Sequence, residues 1–295
     1  MADTNAEADI RGIDLDLLAY GYADEMFVLK KLCSFSTTSA REIRWQKKTA
    51  GILDSVDTTG ITASDIANTA FKSRPVVVED SWTRTTSYVR KYFVESPWIS
   101  DEDIKDSQVD IWGDNMRQLV RAVSNQVEIR ILGVLGDTLG TGGNVNTAAA
   151  TADGWNDTAT GDPIADINTG IENIRAYSYD ISNIVIYMNQ AEEKHLKNYL
   201  INVKGSSIPA FASDQVTKTR LMEILGCRVI VSPNMTTDTV LMFVPNLACK
   251  WKSFTPLTTA VLEDKGIGKK IRVWEEGEAL LVHPRAVHVI TDTIV

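Results

Sequence analysis

SDEDIKDSQVDIWGDNMRQLVRAVSNQVEIRILGVLGD, residues 100–137, is the stretch whose reading decides the fold. Ser100 and Asp103 make a capping-box-like start, and Asp101 and Glu102 place negative charge where a helix dipole favours it. Behind them Ile104, Ile111, Trp112, Leu119, Val120, Val123, Val127, Ile131 and Leu135 recur largely at spacings of three and four. That is the apolar stripe of one amphipathic helix of about 30 residues, roughly 45 Å long at about 1.5 Å per residue. Gly136, Gly140, Gly142 and Gly143 end it. An ordinary globular helix averages about a third of that length. The element reads as a spine.

On its N-terminal side lie two β-rich pieces. REIRWQKKT, from Arg41, is followed by a Gly, Ser, Thr and Asp-rich stretch up to Ser73. RPVVVEDSWTRTTSYVRKYFVESPW then runs from Arg74, its β-branched and aromatic residues alternating with polar ones. Such alternation is a strand pattern, and two strands around a long polar excursion predict an extended hairpin. A lone hairpin of that reach is marginal in water, so something else must hold it. Residues 1–25 carry seven acids against a single base, Arg11. With only short apolar clusters, that segment cannot offset its own ordering entropy and reads as a flexible or docking arm.

On the C-terminal side a Thr, Ala, Gly and Asp-rich loop occupies 141–161, and Asp162–Pro163 then looks like an N-cap and first helical position. Ile164, Ile167, Ile171 and Ile174 form one face of the helix that follows. Next come a strand (ISNIVIYMN), a helix from about Gln190 to Leu200, and a helix closed by Gly226 (TRLMEILG). Two strands, CRVIVS and VLMFV, complete an alternation that predicts a compact α/β domain over 160–250. The tail from Trp251 is mostly β, with IRVWEE, ALLVH and AVHVIT separated by turns at Gly266–Gly268 and Gly277.

Composition removes several function classes. With 39 acidic and 30 basic side chains in 295 residues, the formal net charge is −9, against tight charge-driven nucleic-acid binding. The apolar fraction of 44% is that of a globular chain, and no run approaches the roughly 18 apolar residues of a membrane helix. The acidic N-terminus is expected to be neither a secretory signal nor a transit peptide. Cys33, Cys227 and Cys249 are too few and too scattered for a disulfide framework or a zinc motif, and fit a reducing cytosol.

Catalytic signals are equally thin. His195, His283 and His288 lack ligand spacing, and neither Cys227 nor Cys249 sits in a nucleophile signature. The stretch GDTLGTGG, 136–143, follows a helix and lacks the Lys-Ser/Thr ending of a phosphate loop, so it reads as helix termination. Asp153, Asp157, Asp162 and Asp166 do not have calcium-loop spacing and read as loop acids. Lys265, Lys269, Lys270 and Arg272 read as a solvated hairpin face, or as a contact for phosphate or an acidic neighbour. No catalytic, cofactor or metal residues emerge, and the reading is of a protein that is not an enzyme.

The order of parts carries more information: acidic arm, long hairpin, spine helix, inserted α/β domain, return to β structure. It resembles the major capsid proteins of tailed phages and related archaeal viruses, whose α+β fold is named for phage Hong Kong 97. Local phrases match as well. SYVRKYFVESPWISDEDIKDS is similar to that family's loop strand running into its spine, and IVIYMNQAEEKHLKNYL to its axial strand with an Asn-led helix. LMEILGCRVIVSPNM and GEALLVHPRAVHVIT resemble an axial-domain passage and a final hairpin. The resemblance implies an N-terminal arm (1–40), an extended loop (41–99), a peripheral domain with the spine (100–159 and 251–295) and an axial domain (160–250).

It also implies a structural subunit that self-assembles into hexamers and pentamers of an icosahedral shell around double-stranded DNA, with no cofactor and no membrane. Trp45, Val76, Val78, Trp82 and Tyr88 of the loop are then expected to meet a neighbouring subunit. Portal, separate scaffold and decoration proteins are the implied partners, contact with packaged DNA is non-specific, and the protein is made in the host cytoplasm and ends in the virion. An encapsulin-like compartment holding a cargo enzyme is the alternative. The family's Lys–Asn cross-link, assisted by a Glu, is not carried over: the loop offers Lys47, Lys48 and Lys72, but no passage identifies the matching Asn or Glu.

Overall fold

The structure is a computed structural model and describes residues 28–50, 71, 81–106, 111–136, 145–151, 154–157, 159–176, 183–203 and 223–294. The chain forms two compact units. The first comprises the described residues of Met1–Ile43, Thr86–Ile131 and Trp251–Leu280; the second those of Arg44–Thr85, Leu132–Lys250 and Leu281–Val295.

The first unit is organised by two long strands, β11 (Cys249–Asp264) and β12 (Gly268–Leu281). With β1 (Ser34–Thr37) and β4 (Arg90–Glu95) they make the sheet β1-β11-β12-β4, and β5 (Ile99–Ser100) also pairs with β12. The turn between β11 and β12 needs glycine twice. Gly266 has φ +87°, and a Cβ on Gly268 would lie 2.1 Å from the Ile99 carbonyl oxygen. Gly277 is a different case. Read from sequence as a turn, it lies inside β12, where a Cβ would lie 2.4 Å from the buried Trp251 ring. The glycine makes room for the indole.

The helical elements of this unit are α1 (Leu29–Leu32), α2 (Asp101–Asp106) and α3 (Ile111–Leu135). Ser100 ends β5 and directly precedes α2. The stretch read as one spine helix holds α2 and the 25-residue α3, with 107–110 outside the described residues. Met116, Val120, Val123, Val127 and Ile131 are buried along α3 at spacings of four, three, four and four. Ile104 departs from the expected stripe: it is 39% exposed on α2.

Strands β2 (Glu42–Ala50) and β3 (Ser81–Tyr88) form a separate two-stranded ribbon. They are the paired strands expected of an extended hairpin; apart from Phe71, the excursion between them lies outside the described residues.

The second unit contains the sheet β6-β13-β10-β7-β9-β8. Its strands are β6 (Asn146–Ala149), β7 (Val185–Met188), β8 (Glu223–Ile224), β9 (Cys227–Val231), β10 (Thr239–Phe243) and β13 (Val287–Thr291). All four residues of β7 are buried, as the unbroken apolar run Val-Ile-Tyr-Met requires of a central strand. Helix α4 (Pro163–Arg175) starts as expected, with the Asp162 side chain accepting the Ala165 N–H at 3.1 Å and proline at the first turn. Ile167 and Ile174 are buried on its face. Gly170 lets the helix approach the sheet, since a Cβ there would lie 2.5 Å from the Met242 sulfur and 2.9 Å from the His288 ring. Helix α5 (Gln190–Asn198) is capped by the Asn189 side chain and runs into a π-helical turn, Tyr199–Val203.

Two expectations fail in this unit. TRLMEILG does not close as a helix: Glu223 and Ile224 are β8, paired antiparallel with Arg228 and Cys227. Leu225 and Gly226 between them have φ +50° and +77°, the positive pair that a two-residue hairpin turn demands. Nor is GEALLVHPRAVHVIT a hairpin. After β12 a 3-10 turn, Pro284–Ala286, redirects the chain, and β13 pairs with β6 and β10 instead.

Two outcomes follow from this packing. Val120 is fully buried on α3, so Val120→Asp should cost several kcal/mol by burying an unpaired charge, seen as loss of soluble protein and of its folded circular dichroism. His288 has no exposed surface and no hydrogen-bond partner on either ring nitrogen, and burial lowers its pKa from 6.5 to about 4. A depressed base favours folding above its unfolded pKa and loses that contribution as pH falls, here roughly 3 kcal/mol between about 6.5 and about 4. His288→Leu should flatten that part of the urea-midpoint profile of dissociated subunits while leaving pH 7 stability close to that of the parent.

Candidate assembly surface

Several of the residues singled out in the sequence make structural contacts. Cys33, Cys227 and Cys249 are buried, and burial, followed by Glu223, holds the Cys227 thiol above its ordinary pKa. Asp157 accepts the Ala159 N–H at 2.8 Å and the Thr160 hydroxyl at 2.9 Å, which together hold it below the usual carboxylate range. Asp166 accepts the Thr151 N–H at 3.0 Å and the Trp155 indole N–H at 2.8 Å. Asp162 is the helix cap already described, and Asp153 lies outside the described residues. Among the described residues no three His, Cys, Asp or Glu are grouped to hold a metal, and no helix is long and apolar enough to cross a membrane.

The ribbon offers a surface instead. Along β2, Ile43 and Lys47 are buried and Trp45 half-buried, while Glu42, Arg44 and Gln46 are exposed. The Trp45 indole N–H donates to the Leu281 carbonyl at 3.1 Å, so this residue has a partner within its own chain. On β3 the set Trp82, Arg84, Thr86 and Tyr88 shares one face by alternation and is exposed throughout, Trp82 by 49% and Tyr88 by 66%. Aromatic and Arg side chains together are the composition of interface centres. Val76, Val78 and Lys72, and the side chain of Lys48, lie outside the described residues.

A second surface, not found by sequence reading, lies on the five-stranded sheet. Three cross-strand pairs ladder β4 to β12: Lys91 opposite Glu276, Phe93 opposite Trp274, and Glu95 opposite Arg272. Lys91 and Glu276 are 3.6 Å apart, the Phe93 and Trp274 ring centroids 6.2 Å, and Arg272 is bonded to Glu95. Lys270 also bonds Glu95 and lies 4.9 Å over the Trp98 ring. These two cations, Lys270 first, hold the Glu95 carboxyl below its usual range. Arg41 extends the pattern to β11, 4.9 Å over Phe254 and 3.6 Å from Glu276. Of the basic group read at 265–272, Lys269 pairs with Glu263 at 3.3 Å, so three of its members meet acidic neighbours. Phe35, Phe93 and Trp98 remain exposed.

Beneath this surface lies a buried ionic cluster. Glu128 of α3 accepts the Val28 and Leu29 N–H groups at 2.8 and 3.2 Å, fixing the start of α1. Lys30 of α1 bonds the fully buried Glu275 and lies 5.6 Å over the Trp251 ring. Arg130 of α3 bonds the fully buried Glu278, its Nε at 2.8 Å, and Arg90 reaches the same carboxylate at 3.3 Å. Burial raises the pKa of Glu275 and Glu278 more than Lys30 and Arg130 lower it. Tyr92 beside them is pushed up to about 12, by burial first and then by the Glu278 charge.

The cluster holds α1, α3, β4 and β12 together beneath the exposed aromatic and charged side chains. Residues 98–288, well over half the chain, match the model of the phage capsid protein family. No curated protein sequence matches the chain. Among solved structures, the virus-like particle from Pyrococcus furiosus aligns with TM-score 0.62 at 11% identity, covering 95% of this chain and 99% of that one. Mycobacterium phage Che8 aligns at 0.61 and 14% identity, covering 87% and 86%. The capsid of Cyanophage P-SCSP1u aligns at 0.62 and 10% identity, covering 90% and 88%. The chain belongs to the phage capsid protein family, and its fold is the Hong Kong 97-type capsid fold.

The cluster yields a mutational test. Arg130→Met leaves Glu278 buried with the largely exposed Arg90 and the Ser87 hydroxyl, and should cost about 3–5 kcal/mol in urea denaturation at neutral pH. The double change Arg130→Met with Glu278→Leu should recover most of that loss. A carboxyl whose folded pKa is raised favours folding at acid pH and loses that contribution as pH rises through the folded value. The single variant's deficit should therefore shrink on acidification and grow towards alkaline pH.

Proposed function

We propose that this capsid protein is the major shell subunit of a tailed virus, forming hexamers and pentamers of an icosahedral capsid around double-stranded DNA. The observation that carries the reading is the family match over 98–288, which takes in α3, β11 and β12, and β6 to β10 of the second unit's sheet. In this reading 1–40 is the arm, 41–99 the extended loop, 100–159 with 251–295 the peripheral domain and 160–250 the axial domain. The exposed face of β3, with Trp82 and Tyr88, lies on a neighbouring subunit, together with Val76 and Val78; Trp45 anchors the ribbon at its base. The role is structural, without catalysis or cofactor. Portal, scaffold and decoration proteins are its further partners, and the protein is made in the host cytoplasm.

Contact with the genome is weak and sequence-independent, because a chain of net charge −9 repels phosphate and scattered bases make few contacts each. An encapsulin-like compartment is the second reading. The observation in its favour is that the Pyrococcus furiosus virus-like particle aligns over 99% of its own chain.

Electron microscopy of the expressed protein tests the proposal. Closed shells with five-fold and six-fold capsomers, and nuclease-protected DNA in particles from infected cells, are expected; a monomer would overturn it, and a co-purifying cargo enzyme in place of DNA would favour the compartment. Trp82→Ala with Tyr88→Ala should leave a folded subunit of parental urea midpoint but reduce particle yield at least tenfold.

A further inference from the structure

We propose that the second unit binds a hard divalent cation, calcium or magnesium, between Glu192 of α5 and Asp238 of the loop before β10; this does not depend on the capsid reading. Glu192 has no exposed surface, and its Oε2 has no hydrogen-bond partner. Its Oε1 accepts the Asp238 N–H at 2.6 Å, which turns the carboxylate toward residue 238. Among the described residues no Lys, Arg or His forms an ion pair with Glu192 or with Asp238. A buried carboxyl either keeps its proton or meets a positive charge, from a side chain or from a metal. The surroundings of Glu192 favour the metal.

A second acid lies alongside. Asp238 is half-buried, and its Oδ1 accepts the Ile294 N–H at 2.8 Å. Thr293, the residue before Ile294, also has no exposed surface, and its Oγ1 is another buried oxygen without a partner. Three segments far apart in sequence therefore meet at Asp238 with two carboxylates and a buried hydroxyl. Two carboxylates carry the charge that one divalent ion cancels. The donors are oxygen throughout, with no imidazole or thiolate among them, which is the ligand set of calcium and magnesium and not of zinc or copper. Two carboxylates are fewer than a three-acid cage, and water completes the shell of such an ion, as is usual for magnesium.

The neighbouring contacts hold these groups in place. Asn189 caps α5 by accepting the Ala191 N–H at 3.3 Å, and its amide nitrogen donates to the Met235 carbonyl at 2.6 Å. The loop that carries Asp238 is thereby tied to the start of the helix that carries Glu192. Glu192 stands in the first turn of α5, where the helix dipole favours negative charge. On the far side the Thr293 carbonyl accepts the Trp155 N–H at 2.7 Å, which fixes the chain just before Ile294. An ion held by Glu192 and Asp238 joins the start of α5, the loop between β9 and β10, and the chain after β13.

Urea denaturation of the whole chain, as dissociated subunits stripped with a chelator, tests this in calcium chloride, magnesium chloride or sodium chloride of equal ionic strength. The midpoint should rise with calcium, magnesium or both, and not with sodium. Glu192→Gln keeps an acceptor for the Asp238 N–H, and Asp238→Asn keeps one for Ile294 and tolerates the φ of +73° at that position. Each variant should need about tenfold more divalent salt, or greater, for the same rise. Without metal, Glu192→Gln should unfold at a higher urea concentration than the parent, because a buried charge has gone; a lower midpoint would mean that the carboxylate serves the fold by itself and would overturn the proposal. A parent that ignores divalent salt would overturn it too, and is what a Glu192 holding its own proton would give. So would a response that both variants keep, which is general screening on a chain of net charge −9. Terbium excited through the indole of Trp155 gives a second readout: its emission should be competed by calcium and lost in Glu192→Gln, and emission unchanged in that variant would put the ion elsewhere and overturn the assignment.

Discussion

The first unit depends on two carboxylates buried in one strand. Glu275 and Glu278 lie in β12 with no exposed surface, and each can stay there only because a cation from another element meets it. Removing two such charges from water costs more than an unrelaxed contact returns, so the pairs are poor sources of net stability. What they supply is uniqueness: α1 and α3 must arrive in the register that places Lys30 and Arg130, or the strand is left with naked charge. A core of leucines would tolerate a shifted helix; this one does not.

That constraint suits a part that must be identical in every copy. The Lys91–Glu276 and Glu95–Arg272 pairs fix the alignment of β4 on β12 in the same way, at the surface and at lower cost. Alternation along β12 puts Glu275 on one side of the sheet and Trp274 and Glu276 on the other, so neighbouring residues serve the buried contacts and the exposed ones. The second unit is built differently, around fully apolar central strands and a histidine kept neutral by its surroundings, so the two bodies respond to pH through different groups.

Where periodicity was strong, the fold was legible in the sequence. The stripe Val120, Val123, Val127 and Ile131 and the Asp162–Pro163 helix start depend only on neighbours along the chain, and both are present. The misreadings arose where a distant partner decides. Gly277 looked like a turn because its reason for being glycine, the Trp251 ring, is twenty-six residues away. TRLMEILG carries good helix formers, but the positive φ pair at Leu225–Gly226 and pairing with β9 override them. The candidate surface was legible only in part. Trp82 and Tyr88 could be named from alternation, whereas the ladder on β4 and β12 joins residues about 180 positions apart, and nothing local marks it.

The ends of the six-stranded sheet have a consequence for a protein made in many copies. Its outermost strands are β6, with four residues, and β8, with two. A strand so short offers few unpaired backbone groups, and therefore little template for another chain to add to edge-on. Backbone pairing is indifferent to sequence and would join subunits in any register, as fibres do. With that route blunted at this sheet, its contacts with other copies fall to side chains, whose shape and charge accept only particular neighbours.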